Sequence, residues 1–491
     1  MDTLLDNIKK HSIRSPHKVA IAQADKRVTY RELMKRIQAV TSHLERSGVR
    51  KEDRVILTAS NTPAFIYGYF AAHLLGAVAV PLAPQTPDSR LKYIIDKIEP
   101  SGIFTNREFE YESHKAESID IFDNLEQVSA DKEYSLPTPD KTADILFTTG
   151  TSGESKGVVL THENIHAQAT NINTFIGNSY EDIEVLPLPL SHSFGLGRLR
   201  CNMITAGTIV LVDGFLIVGK IFQAFEDWKA TGFCFVPAGL GILFKLSGDK
   251  IGDYARQLKY IEIGSAPMPL ENKKRLMKLL PHSRICMHYG LTEASRSTFI
   301  EFHQSNHKLD SIGKPSPNVE VKIADKKGHQ LPVNGIGEIL VRGKMVMREY
   351  WNNPVETGNK LVEGWIRTGD IGSKDEDGYY YLHGRETELI NIAGQKASPE
   401  EIESVLRKYP GIEDCACIGI PDPDNIKGET VKAFTMLKKN IDVKPSHREL
   451  HEFFRGKIEA YKIPTEFEWV DSIPRTASGK LQRGLLRQIS K

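Results

Sequence analysis

Thr148-Thr-Gly-Thr-Ser-Gly-Glu-Ser-Lys-Gly157 is the stretch that says most about fold and chemistry, and it follows a short apolar segment, Asp144-Ile-Leu-Phe147. Its glycines allow backbone N–H groups to approach a ligand closely, and N–H groups, hydroxyls and one lysine together form a cradle for a polyphosphate. A Walker A loop is excluded, because Lys156 is followed by Gly157 and three apolar residues rather than by the Ser or Thr that opens a helix. Taken alone, the stretch is equally compatible with a flexible surface loop.

The length and composition of the chain limit the classes of protein to which it can belong. With 491 residues it exceeds what one hydrophobic core holds, which predicts two or more domains. The formal net charge of +1 gives no overall field that would attract nucleic acid or an anionic membrane. The five cysteines show no metal-type pairing and indicate a reducing compartment, and Cys415 and Cys417 are expected on one buried face of a strand.

Two segments bear on targeting. The N-terminal residues 1–18 are charged and amphipathic and lack the apolar core of a signal peptide. Residues 65–82 are mostly apolar, but glycines and a proline interrupt them, so we expect a buried helix that ends near Gly76 and a core strand from Ala77 to Val80. The expected location is the cytoplasm, and neither a membrane nor nucleic acid is an expected partner.

Helix and strand patterns alternate through most of the chain. Thr29 and Glu32 form a capping-box pattern that begins a helix ending at Gly48, and an apolar strand, Arg54–Thr58, follows. Further helices are predicted over 217–231 and 270–280, and further strands over 233–236 and 285–287. This alternation predicts an α/β fold whose mostly parallel sheets are covered by helices on both faces.

Towards the C-terminus the pattern changes. Short alternating strands over 319–325 and 337–343 indicate a small β unit that closes the large domain. Beyond Gly384-Arg385, Ser398 and Ser446 each begin a helix with a glutamate three residues later. We therefore predict a large N-terminal domain and a small α+β C-terminal domain, spanning 1–384 and 385–491.

Two further segments carry residue types suited to a nucleotide. Gly264-Ser-Ala-Pro-Met268 reads as a tight turn, and Met287-His-Tyr-Gly-Leu-Thr-Glu293 reads as the end of a strand. Tyr289 could stack on a base, Thr292 could bond a phosphate oxygen, and Glu293 could hold Mg²⁺, which prefers oxygen ligands. The alternative is a turn between a strand and a helix with a buried tyrosine.

Three short motifs are individually weak. Thr368-Gly-Asp370 places a carboxylate on a glycine turn, where it could hold ribose hydroxyls, or it is merely a turn. His383-Gly-Arg385 supplies a cation that by itself reads as a surface ion-pair partner. Lys480 follows a Ser-Gly turn within Pro474–Arg483, which alone reads as a solvated basic tail.

In this order and spacing, the motifs resemble the AMP-forming adenylating superfamily, which includes acyl- and aryl-CoA synthetases, peptide-synthetase adenylation domains and beetle luciferases. The resemblance runs from Thr29-Tyr-Arg-Glu-Leu33 to Gly479-Lys480 and is closest to acyl- and aryl-CoA ligases.

The resemblance implies roles for the matching residues. The phosphates of ATP are held by Thr149, Thr151, Ser152 and Lys156; adenine is lined by Gly264, Ser265, Ala266, Pro267, His288, Tyr289 and Gly290. Thr292 contacts the α-phosphate, Glu293 holds Mg²⁺, and Asp370 with Arg385 clamps the ribose. Lys480 is the catalytic lysine.

The resemblance also implies the reaction. A carboxylic acid and ATP give acyl-AMP and pyrophosphate, and a thiol then gives a thioester and AMP. Two anions must meet in the first step, so positive charge at the new bond lowers the barrier. Between the steps the small C-terminal domain of the family swings about a hinge near 385–388. Lys480 is withdrawn, and the face carrying Ala393, Gly394 and Lys396 closes over the thiol.

Two positions depart from the family pattern. Ser155 stands where the family usually has proline before the loop lysine, which loosens the loop but removes no ligand. Thr387 stands where the hinge usually carries Asp or Lys, which puts the efficiency of the domain swing in question, although a hinge residue need only tolerate a backbone rotation.

The segment Leu188-Pro-Leu-Ser-His-Ser-Phe-Gly195 resembles the mouth of the acid pocket, with His192, Ser193 and Phe194 as pocket residues. Amino-acid-activating relatives place an aspartate after the histidine to pair with an α-ammonium, and Ser193 cannot supply that charge. We therefore expect an aryl or aliphatic acid without an α-amine. His192 is either a gate or a histidine at a helix start. Arg198 and Arg200 are expected to be surface charges, unless one of them reaches a polar substrate tail.

The acceptor thiol is either CoA or the phosphopantetheine of a carrier protein, and we expect CoA. A stand-alone ligase that loads a carrier protein is the alternative, followed by an amino-acid adenylating enzyme and by a non-catalytic nucleotide-binding relative. The joint presence of Lys156, Glu293, Asp370, Arg385 and Lys480 argues against the last of these. The chain is expected to be a monomer or a homodimer.

Overall fold

The computed structural model describes residues 2–58, 61–125, 133–149, 155–385, 388–392, 395–422, 429–439, 441, 443–475, 479 and 481–489. Of residues 149, 395 and 396 only the backbone is described. The chain forms two compact units: Met1–Val321 with Val341–Arg367, and Lys322–Leu340 with Thr368–Lys491. The predicted domain boundary at 384/385 stays a prediction.

A nine-stranded sheet forms one half of the first unit. Its strands follow in the order Lys314–Pro315, Ala294–Glu301, Arg284–Leu291, Tyr260–Ile263, Gly232–Phe235, Ile183–Leu186, Thr208–Leu211, Val19–Gln23 and Lys26–Thr29. The central pairs are parallel, and antiparallel pairs lie at both edges. The strand predicted over 285–287 is longer, and it turns back as a hairpin rather than leading into a helix.

A seven-stranded sheet forms the other half. Its order is Glu349–Tyr350, Ser155–Thr161, Thr142–Thr149, Val78–Leu82, Arg54–Thr58, Gly102–Thr105 and Glu117–Ser118. The strands from Thr142–Thr149 to Glu117–Ser118 pair in parallel, whereas Ser155–Thr161 is antiparallel to both of its neighbours. A small hairpin pairs Glu110–Tyr111 with His114–Lys115.

Helices alternate with these strands, and their ends follow local sequence signals. The predicted capping box is present, because Thr29 Oγ1 accepts a hydrogen bond from Glu32 N–H and the Glu32 carboxylate accepts one from Thr29 N–H. The apolar helix Pro63–Leu75 ends at Gly76, whose φ is +81°. The other α-helices of this unit are Leu4–Arg14, Tyr30–Arg46, Asp88–Ile98, Ile121–Asn124, His162–Ile176, Ser193–Thr205, Val218–Trp228, Pro237–Ser247, Leu270–Leu279 and Pro354–Lys360. Among the described residues, no helix is both long and apolar enough to cross a membrane.

The remaining sheets lie later in the chain. A five-stranded sheet has the order Glu320–Ala324, Gly337–Arg342, Trp365–Lys374 and Leu361–Val362, with Tyr380–Arg385 also paired to Trp365–Lys374. Ile390–Ile392 pairs with Gln395–Ala397, and a three-stranded sheet contains Ile412–Pro421, Glu429–Leu437 and Glu466–Trp469. The helices of the second unit are Pro399–Leu406, His447–Phe454 and Arg483–Ile489, and the first two begin at the predicted caps Ser398 and Ser446.

The strand Ile412–Pro421 is buried on both faces. Cys415 and Cys417 pack into the core of the second unit with Ile402 and Leu406, so their predicted position on one buried face is confirmed. Ala416, on the opposite face, packs with Leu486 of the C-terminal helix. The predicted fold class, α/β with mixed parallel sheets and a small C-terminal α+β unit, is confirmed.

Candidate active site

The glycine-rich stretch connects two antiparallel strands. Thr148 pairs with Lys156 and Thr149 with Ser155, so a strand rather than a helix follows the lysine. Thr151 and Ser152 lie outside the described residues. Ser155, the residue that departs from the family pattern, donates from Oγ to Thr148 O at 2.9 Å and accepts from Arg90 Nη2 at 2.9 Å. Its hydroxyl therefore ties the base of the loop to the helix Asp88–Ile98.

Lys156 and Glu293 both lie next to the side chain of Tyr350. Lys156 Nζ forms an ion pair with Glu356 and lies 5.5 Å from the ring centroid of Tyr350. The Tyr350 hydroxyl donates to Glu293 Oε1 at 2.5 Å, and Glu293 is buried. The hydrogen bond from Lys156 lowers the pKa of Glu356. The predicted phosphate cation and the predicted magnesium carboxylate are thus brought together. One carboxylate, completed by phosphate oxygens, suits the way proteins bind Mg²⁺.

A cavity of about 160 Å³ is lined in part by residues that directly precede Glu293 in the sequence. It is lined by Ser193, Phe194, Ser265, His288, Gly290, Leu291, Thr292, Ser295 and Arg296. Six of the nine were predicted, and they come from both the acid-pocket and the adenine sets. Ala266, Pro267 and Tyr289 neighbour lining residues in the sequence but do not line the cavity.

The turn after the strand Tyr260–Ile263 requires its glycine. A Cβ on Gly264 would lie 2.0 Å from His288 Nε2, so only glycine lets the imidazole pack against the turn. Ser265 follows with φ +74°, a left-handed conformation that turns the chain along the cavity. Gly264 therefore acts through its backbone rather than as a lining side chain.

A buried ionic network lies behind the cavity. Arg296 Nε donates to Glu262 Oε1 at 3.1 Å, and Arg198 Nη1 donates to Glu262 Oε2 at 3.0 Å. Arg198 also donates from Nε to Glu184 Oε1 at 2.8 Å. His288 Nδ1 lies 2.8 Å from Glu262 Oε1. The two arginines balance the two glutamates inside the protein, where an unpaired charge would be costly.

The protonation states in this network follow from burial and charge. Burial opposes ionisation of Glu262, but Arg296 and Arg198 hold its pKa well below the usual range. Burial and the charge of Arg296 both lower the pKa of His288. Glu262 is therefore ionised at neutral pH, and His288 is neutral.

The prediction that Arg198 and Arg200 are surface charges was wrong. Both side chains are fully buried, because the helix Ser193–Thr205 is covered along most of its length. Arg200 forms an ion pair with Asp144 and donates from Nη1 to Gln168 Oε1 at 2.9 Å. The carboxylate partners lie 14, 64 and 56 residues away in the chain, and no local pattern reveals them.

His192 is the N-cap residue that directly precedes the helix Ser193–Thr205. Its side chain makes no capping hydrogen bond, and the residue is exposed. The position at a helix start agrees with one of the two interpretations from the sequence. The gating role stays a prediction.

Asp370 and Arg385 form a direct ion pair in the second unit. They are opposite each other on neighbouring antiparallel strands, and Arg385 Nε lies 2.9 Å from Asp370 Oδ1. Asp370 is buried. It lies within the strand Trp365–Lys374, not on a turn as the Thr-Gly-Asp motif suggested, although Gly369 has a φ of +76°.

The catalytic-lysine candidate Lys480 lies outside the described residues, as do Thr387, Ala393 and Gly394, and the Lys396 side chain is not described. The residues on both sides of Lys480 are anchored. Arg475 Nη1 donates to Gly479 O at 3.0 Å and Arg475 Nη2 to Asp414 Oδ2 at 2.7 Å. Arg483 donates to Glu403 Oε1 at 2.8 Å and to Glu388 Oε2 at 2.6 Å. Arg475 and Arg483, which flank Lys480 in the sequence, are therefore each held to other residues of the second unit.

Comparison with known proteins agrees with this geometry. The sequence profile described as AMP-binding enzyme matches residues 8–351, and that of the AMP-binding enzyme C-terminal domain matches residues 401–480. The chain belongs to the AMP-binding enzyme family. The predicted family and fold are thereby confirmed.

Three relatives illustrate the range of similar proteins. A long-chain-fatty-acid–CoA ligase of Bacillus subtilis is 29% identical over 540 residues, covering 99% of this chain and 94% of the relative. A fatty acid–[acyl-carrier-protein] ligase of Streptomyces coeruleorubidus is 29% identical over 507 residues, covering 99% and 96%. The structure of o-succinylbenzoate CoA synthetase from Bacillus subtilis with ATP and magnesium superimposes with a TM-score of 0.88 at 28% identity, covering 98% and 99%.

Sequence reasoning missed five residues of this site: Leu291, Ser295, Arg296, Tyr350 and Glu356. Ser295 and Arg296 directly follow the Thr292-Glu293 motif, so an arginine so close to a binding motif was an available signal. Tyr350 and Glu356 had no such signal, because Tyr350 lies 57 residues from its partner Glu293 and Glu356 lies 200 residues from its partner Lys156.

Proposed function

We propose that this protein is an AMP-forming ligase that joins a carboxylic acid without an α-amine to CoA, with ATP and Mg²⁺. The observation that carries the proposal is the single cavity lined by Ser193 and Phe194 from the acid set and by Ser265, His288 and Thr292 from the nucleotide set. The substrate carboxylate and the α-phosphate of ATP react with each other. A cavity lined by both the acid residues and the nucleotide residues can hold these two groups close together.

In the first step an oxygen of the substrate carboxylate attacks the α-phosphorus of ATP, and pyrophosphate leaves with the electron pair of the broken bond. Thr149, Thr151, Ser152 and Lys156 hold the departing phosphates. Thr292 bonds the α-phosphate. Glu293, kept in place by Tyr350, holds Mg²⁺, which neutralises phosphate charge when bound.

The nucleoside is held by two sets of residues. Gly264 to Pro267 and His288 to Gly290 line the adenine, and neutral His288 packs against the glycine turn. The Asp370 carboxylate accepts hydrogen bonds from the ribose hydroxyls. Arg385 keeps that carboxylate oriented through its ion pair. The paired geometry of Asp370 and Arg385 supports this role, because a fixed carboxylate loses little entropy on binding.

Lys480 supplies positive charge between the carboxylate and the α-phosphate, where two anions approach. Groups that stabilise developing charge in this way contribute about 10²–10³ in rate. Anchoring of the flanking Arg475 and Arg483 supports this role, since a catalytic group must be held within about 0.5 Å of its productive position. For the second step, residues 385–491 rotate about a hinge at 385–388, and the segment 393–396 replaces Lys480 at the site.

In the second step the thiol sulfur attacks the acyl carbon, AMP leaves, and the thiol proton is released. CoA is the proposed thiol. A carrier-protein phosphopantetheine is the second candidate, because a relative with nearly complete coverage is named as an acyl-carrier-protein ligase. The two acceptors present the same reacting group, and the sequence contains no decisive signature for the CoA nucleotide.

The proposed function is tested by ATP–pyrophosphate exchange over a panel of organic and amino acids. Thioester assays then compare free CoA with a purified carrier protein that carries its phosphopantetheine arm. We expect exchange with organic acids, AMP release upon addition of CoA, and loss of exchange in Lys480→Ala. Exchange that is faster with amino acids than with every organic acid would contradict the proposed substrate class. Thioester formation on the carrier alone would favour the second candidate.

A further inference from the structure

One part of the cavity lining is a buried cation that belongs to an ionic network. That cation is Arg296, and Glu262, Arg198 and Glu184 follow behind it. The exposed fraction of the Arg296 side chain is 2%, and the other three are fully buried. A long alkyl chain that extended past Arg296 would enter a region occupied by ion-paired arginine and glutamate side chains.

The position of Arg296 is firmly determined. Its Nη1 donates to Ser193 O and to Ser295 Oγ, each at 3.0 Å, and its Nη2 donates to Phe194 O at 3.0 Å. A Cβ on Gly197 would lie 2.6 Å from Arg296 Nη1, so the guanidinium lies directly against the helix backbone. Moving Arg296 aside would remove one of the two arginine donors to buried Glu262 and the guanidinium donors to the carbonyls of Ser193 and Phe194, which is costly.

The size of the cavity is limited. Its volume is about 160 Å³. Any part that the nucleotide occupies reduces the room for the acid. Among the lining residues that are not assigned to the nucleotide, Ser193, Ser295 and Arg296 carry polar side chains. The hydroxyls among them offer hydrogen bonds that an alkyl chain cannot use.

We propose that Arg296 and the network behind it restrict this enzyme to short, polar carboxylic acids, and that long-chain fatty acids are excluded. This inference rests on the proposed function, because it assigns the substrate class of the same site. It separates the chain from its long-chain relative, with which it shares 29% identity.

The direct test is ATP–pyrophosphate exchange by the wild-type protein with straight-chain acids of two to sixteen carbons, benzoate, hydroxybenzoates and short hydroxy acids. We expect kcat/KM for dodecanoate and hexadecanoate to be at least about 100-fold below the best short acid, as a pocket that lacks room discriminates by about 10–200-fold for each misfitting group. Hydroxylated acids should exceed their unsubstituted equivalents. Hexadecanoate within about threefold of the best short acid would overturn the inference alone. Absence of exchange with every acid would overturn the proposed function and, with it, the inference.

Two arginine variants test the assignment to Arg296. Arg296→Ala enlarges the pocket, and we expect the ratio of octanoate to butyrate kcat/KM to rise by about tenfold. Arg200→Ala is the matched control. Arg200 lies on the helix Ser193–Thr205, against which Arg296 packs, and it is also buried and ion-paired, but it does not line the cavity. Thermal unfolding of both variants reports how much folded protein each assay contains. An unchanged ratio in folded Arg296→Ala, or an equal rise in Arg200→Ala, would contradict the role of Arg296.

Discussion

The hydroxyl of Tyr350 donates a hydrogen bond to Glu293 Oε1 across 2.5 Å, and the face of the same ring lies 5.5 Å from Lys156 Nζ. Tyr350 thereby links the lysine of the glycine-rich hairpin to the carboxylate that follows the strand Arg284–Leu291. Tyr350 belongs to the short edge strand that pairs with Val158 and Val159, so its position depends on the same sheet as Lys156.

The first prediction concerns Tyr350→Phe. Loss of the hydroxyl removes the group that orients Glu293, and loss of such outer partners typically reduces metal affinity or activity by about 10–100-fold. We expect half-saturation of pyrophosphate exchange to require about tenfold more Mg²⁺, with little change in the KM for the acid. A Mg²⁺ titration of wild-type and variant protein measures this. An unchanged Mg²⁺ dependence would show that Tyr350 does not support the metal carboxylate.

The second prediction concerns Glu356→Gln. Glu356 forms an ion pair with Lys156, and ATP phosphates compete with it for the same ammonium. Such partly exposed pairs contribute about 0–1 kcal/mol, so removing the charge should lower the KM for ATP by up to about fivefold. Glu356→Asp, which keeps the charge, is the control. A rise in the KM for ATP in Glu356→Gln would mean that Glu356 assists nucleotide binding instead.

The third prediction concerns Arg475→Gln. This change releases Asp414 and the carbonyl of Gly479 next to Lys480. We expect adenylation to slow by about tenfold, whereas thioester formation from supplied acyl-AMP should change little, because Lys480 acts only in the first step. Arg455→Gln is the matched control, since Arg455 is exposed and forms an ion pair with the nearby Glu452. Equal slowing of both half-reactions in Arg475→Gln would indicate a general structural role.

The fourth prediction concerns stability below pH 7. Burial lowers the pKa of His162 to about 3, from an ordinary value of 6.5. The unfolded chain binds a proton below pH 6.5 that the folded protein does not, so stability falls as the pH decreases from about 6.5 towards 3. The contribution is at most about 1.4 kcal/mol per pH unit. Urea unfolding at pH 7 and pH 5 should show a smaller loss in His162→Gln than in the wild type. Identical losses would contradict a buried neutral His162.

Local signals predicted more than distant ones did. The capping boxes at Thr29 and Ser446 and the helix end at Gly76 depend on residues within a few positions, and the structure contains all three. Arg198 looked like a surface charge because its partners, Glu184 and Glu262, are brought to it only by the folded sheet.

The candidate site shows the same division. The motifs were identified because each is contiguous in the chain, and the structure gathers six predicted residues around one cavity. Tyr350 and Arg296 were missed because their importance comes from what the fold places beside them. Asp370 was expected on a turn, since Thr-Gly-Asp is short and its strand pairing with Arg385 depends on residues further along the chain.

The most direct test of the central claim is ATP–pyrophosphate exchange with short organic acids, measured on wild-type protein and on Lys480→Ala with AMP quantified after CoA is added. We expect acid-dependent exchange, one AMP released for each thioester formed, and exchange reduced by about 10²-fold or more in the variant. Release of ADP in place of AMP, or wild-type exchange in Lys480→Ala, would contradict the account.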